Sequence, residues 1–467
     1  MQHFVQNNFA WITGAVLASI GIRVTYIMIS LHYQGQIEDD YIGYYTSILK
    51  HGYILDEGID GTLLPSARAM PIYPYFLAGI HWLAGKFTTT EFATTYVALA
   101  QSVIGGATVF GVGLCAHRIN PKISKLAMVL TCVWPNFIVH TAIIGNDTVF
   151  VAFFVFGLAF LLWSIDRDRP WLFLVCSGIF FGLAILTRPT LVFFPVLLFF
   201  ITFFIFFRTR EFHWFRALTA SLVVPLVMLA LVSPRLAVNY HYYGKIALTS
   251  QMGIHALHWV IPCILDSGTC SNREPNVLIG KRLVNERLGE SSAEDRRNPF
   301  VVDSIQRQVA LEWLLDLSIK QIVSGFVGGA VSNLFNSSIQ AASYRLDLPI
   351  IYLGNTAATG LEKTLSYFEF RPELLMTWLW RISLVGIVFT RVVQLVGILC
   401  GLWNSQTRIY VFVVGFVIAY FLVINGPIGN ARYRLPMEPS FVVFTALGLH
   451  YLFCHANRLI NKAKQQS

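Results

Sequence analysis

Apolar residues in this chain gather in long continuous runs, near 10–31, 92–116, 123–144, 148–165, 171–187, 190–207, 216–234, 376–402, 409–425 and 437–454. A run of about 17–25 apolar residues is long enough to cross a bilayer as a helix. Inside lipid the backbone must satisfy its own hydrogen bonds, which leaves helices or a closed barrel. A barrel strand alternates apolar and polar positions, and these runs do not alternate, so the pattern predicts an all-α polytopic membrane protein with about ten transmembrane helices. The stretch 72–87, IYPYFLAGIHWLAGKF, is apolar but short and bounded by prolines, which predicts an interfacial helix. Composition agrees: 55% of residues are hydrophobic and 13% charged.

Between the two membrane blocks lies a different kind of sequence. Segment 236–375 contains SGTCSNREPN and GESSAEDRRNP, both rich in turn formers. Within 303–323, Ile305, Val309, Trp313 and Leu317 fall four apart beside a polar stripe of Gln308, Glu312 and Asp316, which predicts a helix along the membrane surface. The expected division is an N-terminal transmembrane block at 1–235 carrying a first external loop at 32–90, an external cap at 236–375, and a C-terminal block with a cytoplasmic tail at 376–467. The first run lacks a small-residue cleavage site after it and reads as a retained helix.

Basic residues set the orientation. Arg118, Lys122, Lys125, Arg167, Arg169, Arg208, Arg210, Arg216, Arg408 and the tail residues Arg458, Lys462 and Lys464 alternate with the spans as they should if both termini are cytoplasmic. The acidic cluster after the first span, Asp147 and the segment 236–375 then share the external side. This asymmetry and anionic lipid account for the net charge of +9, and no interleaved basic and aromatic pattern suggests nucleic acid. Cys263 and Cys270 are the two cysteines of the external segment; an oxidising compartment would allow a disulfide between them, and two free thiols are the alternative.

Five polar groupings fall on that external side: Glu38-Asp39-Asp40-Tyr41, Arg68, Gly145-Asn146-Asp147, Thr187-Arg188-Pro189 and Arg432-Tyr433-Arg434. Charge beside a membrane is costly and marks function by default. Arginine forks onto phosphate oxygens, while a carboxylate can take a proton from a hydroxyl or hold a divalent cation. Each grouping also has an ordinary explanation. Asp147 can cap a helix and the arginines can snorkel to the interface, so the argument rests on their sharing one side. Arg381, Arg391 and Gln394 interrupt the run 376–402, and Arg391 must face other helices, a partner or a watery cavity. His255 and His258 have a zinc-compatible spacing without further ligands, which favours an ordinary polar loop. The sequence carries no Gly-rich nucleotide loop, Gly-x-Ser-x-Gly elbow or Cys-x-x-Cys pair, so a soluble nucleotide sugar is not supported as a donor.

The order of these pieces resembles the GT-C integral-membrane glycosyltransferases that use polyprenyl-phosphate sugars, which include dolichyl-phosphate-mannose protein mannosyltransferases and lipid A aminoarabinose transferases. The matching pieces are Asp39, Asp40, Tyr41 and Tyr44 after the first span, then ARAMPIYP, WPNFIVHTAIIGNDTVF, GIFFGLAILTRPTLVFFP, SPRLAVNYHYYGKIALTS and RYRLPMEPSFVVFTALGL. Residues 261–375 match nothing in the family pattern.

The resemblance implies a GT-C-like helical bundle with interfacial helices and an external cap. It implies transfer of a sugar from a polyprenyl-phosphate carrier to an acceptor hydroxyl of a glycan, lipid or protein, with inversion, at the outer face of a membrane taken as a bacterial inner membrane. Asp40, or its neighbour Asp39, fits the base; Arg68, Asp147, Arg188, Arg432, Tyr433 and Arg434 fit the substrate site; Glu38 and Asp40 could hold a magnesium or manganese ion. Two rivals are a transporter or flippase, which would need polar sites near the midplane, and a glycan ligase or polymerase, which leans on arginine and histidine of a large external loop.

Overall fold

The computed structural model describes residues 1–30, 39–58, 61–86, 93–209, 214–268, 270, 273–348, 350 and 375–466. Its helices follow the apolar runs. A short α1 (Gln2–Asn7) leads into α2 (Phe9–Ile29). After it come α3 (Asp39–His51), a hairpin of β1 (Leu55–Glu57) and β2 (Leu63–Pro65), and α4 (Ile72–Ala84). The first block continues with α5 (Ala93–Ile119), α6 (Ser124–Val133), α7 (Pro135–Thr141), α8 (Asp147–Ser164), α9 (Trp171–Thr187), α10 (Phe194–Thr209) and α11 (Trp214–Tyr243).

The cap follows as α12 (Met252–His255), a π turn, α13 (Ile261–Leu265), α14 (Glu274–Gly289), α15 (Ala293–Arg297), α16 (Pro299–Leu315), α17 (Ile319–Phe335) and α18 (Ile339–Leu346). The second block is α19 (Leu375–Trp403), α20 (Arg408–Asn425), the single turn α21 (Ala431–Arg434) and α22 (Glu438–Gln466). Among the described residues seven helices are long and apolar enough to cross a membrane, or nine if each of two bent pairs is one span; α9 and α10 are shorter apolar helices.

Three features depart from the sequence pattern, each for a local reason. The run 123–144 is bent by 46° between α6 and α7, where Trp134 is extended and Pro135 opens the next helix without an amide donor. The helix expected through 303–323 stops at Leu315; Ser318 and Gln321 form a capping box that starts α17 in a new direction, 111° from α16. His255 and His258 stand in a helical segment with a π turn, rather than in a loop.

The core of the bundle lies among α5, α8, α9, α10 and α20, where Phe150, Phe154, Phe181, Phe194 and Phe421 are all nearly inaccessible to solvent. Phe150 and Phe154 stack, and the other ring pairs meet edge-on or tilted, at centroid distances between 5.1 Å for Phe181–Phe194 and 6.2 Å for Phe150–Phe421, within the range aromatic pairs favour. Between lipid-soluble helices no hydrophobic force selects a partner, so close approach must be built from small residues. Gly397 and Gly448 do this for α19 and α22: a Cβ on Gly448 would strike the carbonyl of Val393, and one on Gly397 the carbonyl of Phe444.

The cap is attached in the same way. Gly328 of α17 lies against the Ser267 backbone, and Gly329 against Gly426 and Pro427 at the end of α20. Cys263 and Cys270 form a disulfide in the loop that Gly328 contacts. Arg391 of α19 donates from Nε and Nη2 to the carbonyl of Leu334 at 3.0 and 2.7 Å, and from Nη1 to Gln394 at 2.7 Å. The arginine in mid-span therefore faces a helix end, whose unpaired carbonyls attract a cation.

A side chain at Gly329 should force α17 off the end of α20. Gly329→Val is expected to lose about 1–3 kcal/mol, the usual cost of overpacking, read as a lower melting temperature of the detergent-solubilised protein. Gly386→Val serves as the control, since nothing lies within 4 Å of a Cβ at Gly386.

Candidate functional site

Asp147 opens α8, where a carboxylate interacts favourably with the positive end of the helix dipole. It is 3% exposed and meets two arginines from distant parts of the chain. Oδ1 accepts from Nη1 of Arg188, and Oδ2 accepts from Nε of Arg432 at 2.7 Å.

Both arginines are aimed by local backbone. Arg188 precedes Pro189, and this position favours extended backbone over helix. Its φ of −149° and ψ of 125° end α9 and turn the side chain toward Asp147. Arg432 lies on α21, which is capped by the side chain of Asn430 accepting from the amides of Arg432 (2.7 Å) and Tyr433 (3.3 Å). The guanidinium of Arg188 sits 5.5 Å from the centre of the Tyr433 ring. One buried carboxylate thus holds two guanidiniums, and the cluster carries an excess positive charge. The side chain of Arg432 is 35% exposed and that of Arg188 13%, so the positive side of the cluster faces outward.

A cavity of about 190 Å³ lies beside this cluster, lined by Asn146, Thr187, Arg68, Tyr41, Tyr44 and Gln251. Asn146 and Thr187 are the chain neighbours of Asp147 and Arg188, and they are hydrogen-bonded to each other at 3.3 Å. Arg68 is exposed, but its neighbours Ser66, Ala67, Ala69 and Met70 are buried and the backbone is pinned: Thr249 donates to the Arg68 carbonyl at 3.0 Å, and Ser250 donates to the carbonyl of Ala67 at 3.0 Å.

Helix α3 brings the first external loop to the same place. Tyr41 packs edge-on against Tyr73 at 5.0 Å. The hydroxyl of Tyr73 donates to Gln101 at 3.0 Å, and Gln101 donates to the carbonyls of Thr141 and Ile143 at 2.8 and 2.9 Å, on the segment leading into Asp147. On α3 as well, Tyr45 stacks on His81 at 4.1 Å; burial raises the phenol pKa and lowers that of the imidazole, so the stack is uncharged at neutral pH. Asp39 and Asp40 open the first turn of α3, two residues and one residue ahead of Tyr41. Their side chains, and all of Glu38, lie outside the described residues.

The structure therefore gathers Asp147, Arg188, Arg432 and Tyr433 in one cluster, with Arg68 lining the adjoining cavity. Arg434 goes elsewhere. It is 4% exposed, pairs with Glu438 at 2.6 Å, and donates to the carbonyls of Asn333 and Asn336 at 3.2 and 2.6 Å. Glu438, which the motif analysis passed over, also accepts from Trp134 and Asn136, both at 2.7 Å. The available signal was a lone acid four residues after Arg434, inside a run where charge is expensive. No group of three or more metal-ligating side chains occurs among the described residues, and both oxygens of Asp147 already accept from guanidiniums.

Residues 68–237 match the family model for dolichyl-phosphate-mannose-protein mannosyltransferase. That stretch contains Arg68, Asp147 and Arg188 and bears out the expected GT-C resemblance. Among curated proteins none matches by sequence.

Solved structures share the fold at low identity. The oligosaccharyltransferase AglB from Archaeoglobus fulgidus, in complex with an inhibitory peptide and a dolichol-phosphate, superposes with a TM-score of 0.54 at 15% identity, covering 98% of this chain and 52% of that one. The A. fulgidus oligosaccharyltransferase with Zn and sulfate gives 0.52 at 13% identity, covering 96% and 49%. This chain spans about half the length of those proteins. ArnT from Cupriavidus metallidurans in the apo state overlays more loosely, at a TM-score of 0.38 and 16% identity, with 93% and 77% covered.

The two neighbouring arginines should separate on mutation. Arg434→Met is expected to lower the melting temperature, because it leaves the buried Glu438 without its paired cation at a cost of about 3–5 kcal/mol. Arg432→Met should move the melting temperature far less, because its side chain is partly exposed and Arg188 still balances Asp147. A matched pair of thermal-unfolding curves checks this, and equal losses would contradict the assignment.

Proposed function

We propose that this protein transfers a sugar from a polyprenyl-phosphate carrier to an acceptor hydroxyl at the external face of the membrane. The observation that carries the proposal is the cavity between α3 and the Asp147–Arg188–Arg432 cluster, with Arg68 on its wall. An excess of guanidinium beside a membrane suits a lipid-linked phosphate, and α3 begins at the two acids that the family resemblance assigns to chemistry. The family match over 68–237, and the dolichol-phosphate in the AglB structure of the same fold, support a lipid-linked donor.

In this reading the acceptor hydroxyl attacks the anomeric carbon from the face opposite the phosphate, and the carbon–oxygen bond to the phosphate breaks. The proton passes to Asp40, with Asp39 as the alternative, and the configuration inverts. Polyprenyl phosphate departs with its negative charge balanced by Arg68 and Arg432, the latter oriented by Asp147. Asp147 acts here as a positioning residue. Zn accompanies the archaeal relative, and a divalent cation in this chain would fall to Glu38 and Asp40.

The Cys263–Cys270 disulfide supports an oxidising outer compartment, which we take to be the periplasmic side of a bacterial inner membrane. The transporter reading loses its principal support, because Arg391 and Gln394 are engaged by Leu334 and Thr445 rather than lining a midplane site.

The test is transfer of labelled sugar from a polyprenyl-phosphate donor by purified Asp40→Asn and Asp39→Asn variants. Loss of general-base assistance should reduce turnover by about 10²–10⁴-fold in one of them, with the melting temperature retained. Full activity in both variants refutes the assignment.

A further inference from the structure

A second, larger cavity of about 750 Å³ lies on the cap side of Arg68 and Tyr44, and these two residues line both cavities. One of its walls is the β1–β2 hairpin, with Asp56 and Glu57 on β1. The opposite wall is the α15–α16 corner of the cap, with Arg296 and Arg297 in the last turn of α15. Tyr44 and Tyr243 add aromatic surface between them.

From this arrangement we propose that the outer cavity is the acceptor site, and that it takes an uncharged glycan of more than one sugar unit. The inference rests on the sugar-transfer reading above and deepens it by naming the acceptor class. Its physical basis is the division of hydrogen-bonding roles between the walls. Ionised carboxylates accept and never donate, whereas guanidiniums donate and never accept. A sugar hydroxyl does both, so a polyol lying between the walls can bond to both of them at once. A charged acceptor gains at one wall what it loses at the other, whereas hydroxyls that both donate and accept gain at each. The half-buried Tyr44 ring offers an apolar face on which sugar C–H surfaces can rest.

Size and position agree. The volume falls in the range of about 300–1,000 Å³ typical of ligand sites. Arg68 and Tyr44 form the shared border, so a glycan held here presents one end to the cavity beside Asp147. The hairpin acids and the cap arginines lie outside the family-matched stretch 68–237, where features particular to this chain are expected.

The test uses the full detergent-solubilised chain and saturation-transfer NMR with defined probes. Chitotriose and maltotriose are the neutral probes, trigalacturonate the anionic one, and a Ser/Thr peptide stands for a protein acceptor. The neutral trisaccharides should bind best. Asp56→Asn/Glu57→Gln and Arg296→Gln/Arg297→Gln should each weaken them by about tenfold or more, as loss of charged hydrogen bonds does. Preference for trigalacturonate or the peptide, no binding of either neutral probe, or neutral binding unchanged in both double variants overturns the proposal. A thermal shift with polyprenyl phosphate is read in parallel. Its absence in the wild-type protein counts against the donor reading, whereas a retained shift with failed glycan binding removes the acceptor inference alone.

Discussion

A charge buried at the edge of a bilayer must be matched by an opposite charge that the fold holds in place, and the segment Asn430–Glu438 does this twice. Its single helical turn sends Arg432 to Asp147 on one side and Arg434 to Glu438 on the other. Removing water from an ion costs several kcal/mol, which the partner offsets only when geometry is good and the remaining hydrogen bonds are made. Both conditions hold. Asp147 accepts from two guanidiniums, and Glu438 accepts from Arg434, Trp134 and Asn136. Since Trp134 and Asn136 flank the bend at Pro135, the same segment fixes the kink that delivers the chain toward Asp147.

The cap is fixed by the same charges. The last carbonyls of a helix lack internal partners and carry partial negative charge. At the end of α17 the carbonyls of Asn333, Leu334 and Asn336 accept from Arg434 and Arg391. Two arginines that would be expensive in lipid are thereby spread over a helix terminus, and Arg391 also lies 3.9 Å from the centre of the Phe441 ring. An extended polar network thus links cap and both membrane blocks. Its outer end is Arg432, beside the inner cavity, and its inner end is Gln394, which donates to Thr445 of α22 at 2.9 Å.

Much of the fold was legible in the sequence because lipid leaves a continuous apolar run few other solutions. The helices α2, α5, α8, α19 and α20 begin and end close to the runs. The misses have physical causes. IKQIVSGFVGGAVSNLF reads as part of a polar cap because its glycines dilute its hydropathy, yet those glycines let α17 approach Ser267 and Gly426. Asp147, Arg188 and Arg432 could be grouped by side of the membrane, but no pattern in one sequence states that they touch. The divergence of Arg432 and Arg434 was readable in principle. Residues two apart on a helical turn point about 200° away from each other, so one of the pair had to face inward.

The division between donor and acceptor sides follows from where each wall comes from. The cluster around Asp147 is built from the ends of membrane helices, whose positions are set by packing and tolerate little change. The outer cavity is built from a short hairpin and the α15–α16 corner, both outside the bundle. Loops on a rigid scaffold can vary in sequence without disturbing the core. In the proposed reaction the lipid phosphate therefore meets the part held by helix packing, and the acceptor meets the part that can change without disturbing the core. Arg68 and Tyr44 stand where the two meet, exposed to both cavities. Under the proposed assignment, substitutions there disturb both substrates, whereas changes on the hairpin or α15 redirect the acceptor and leave the charge network from Asp147 to Gln394 intact.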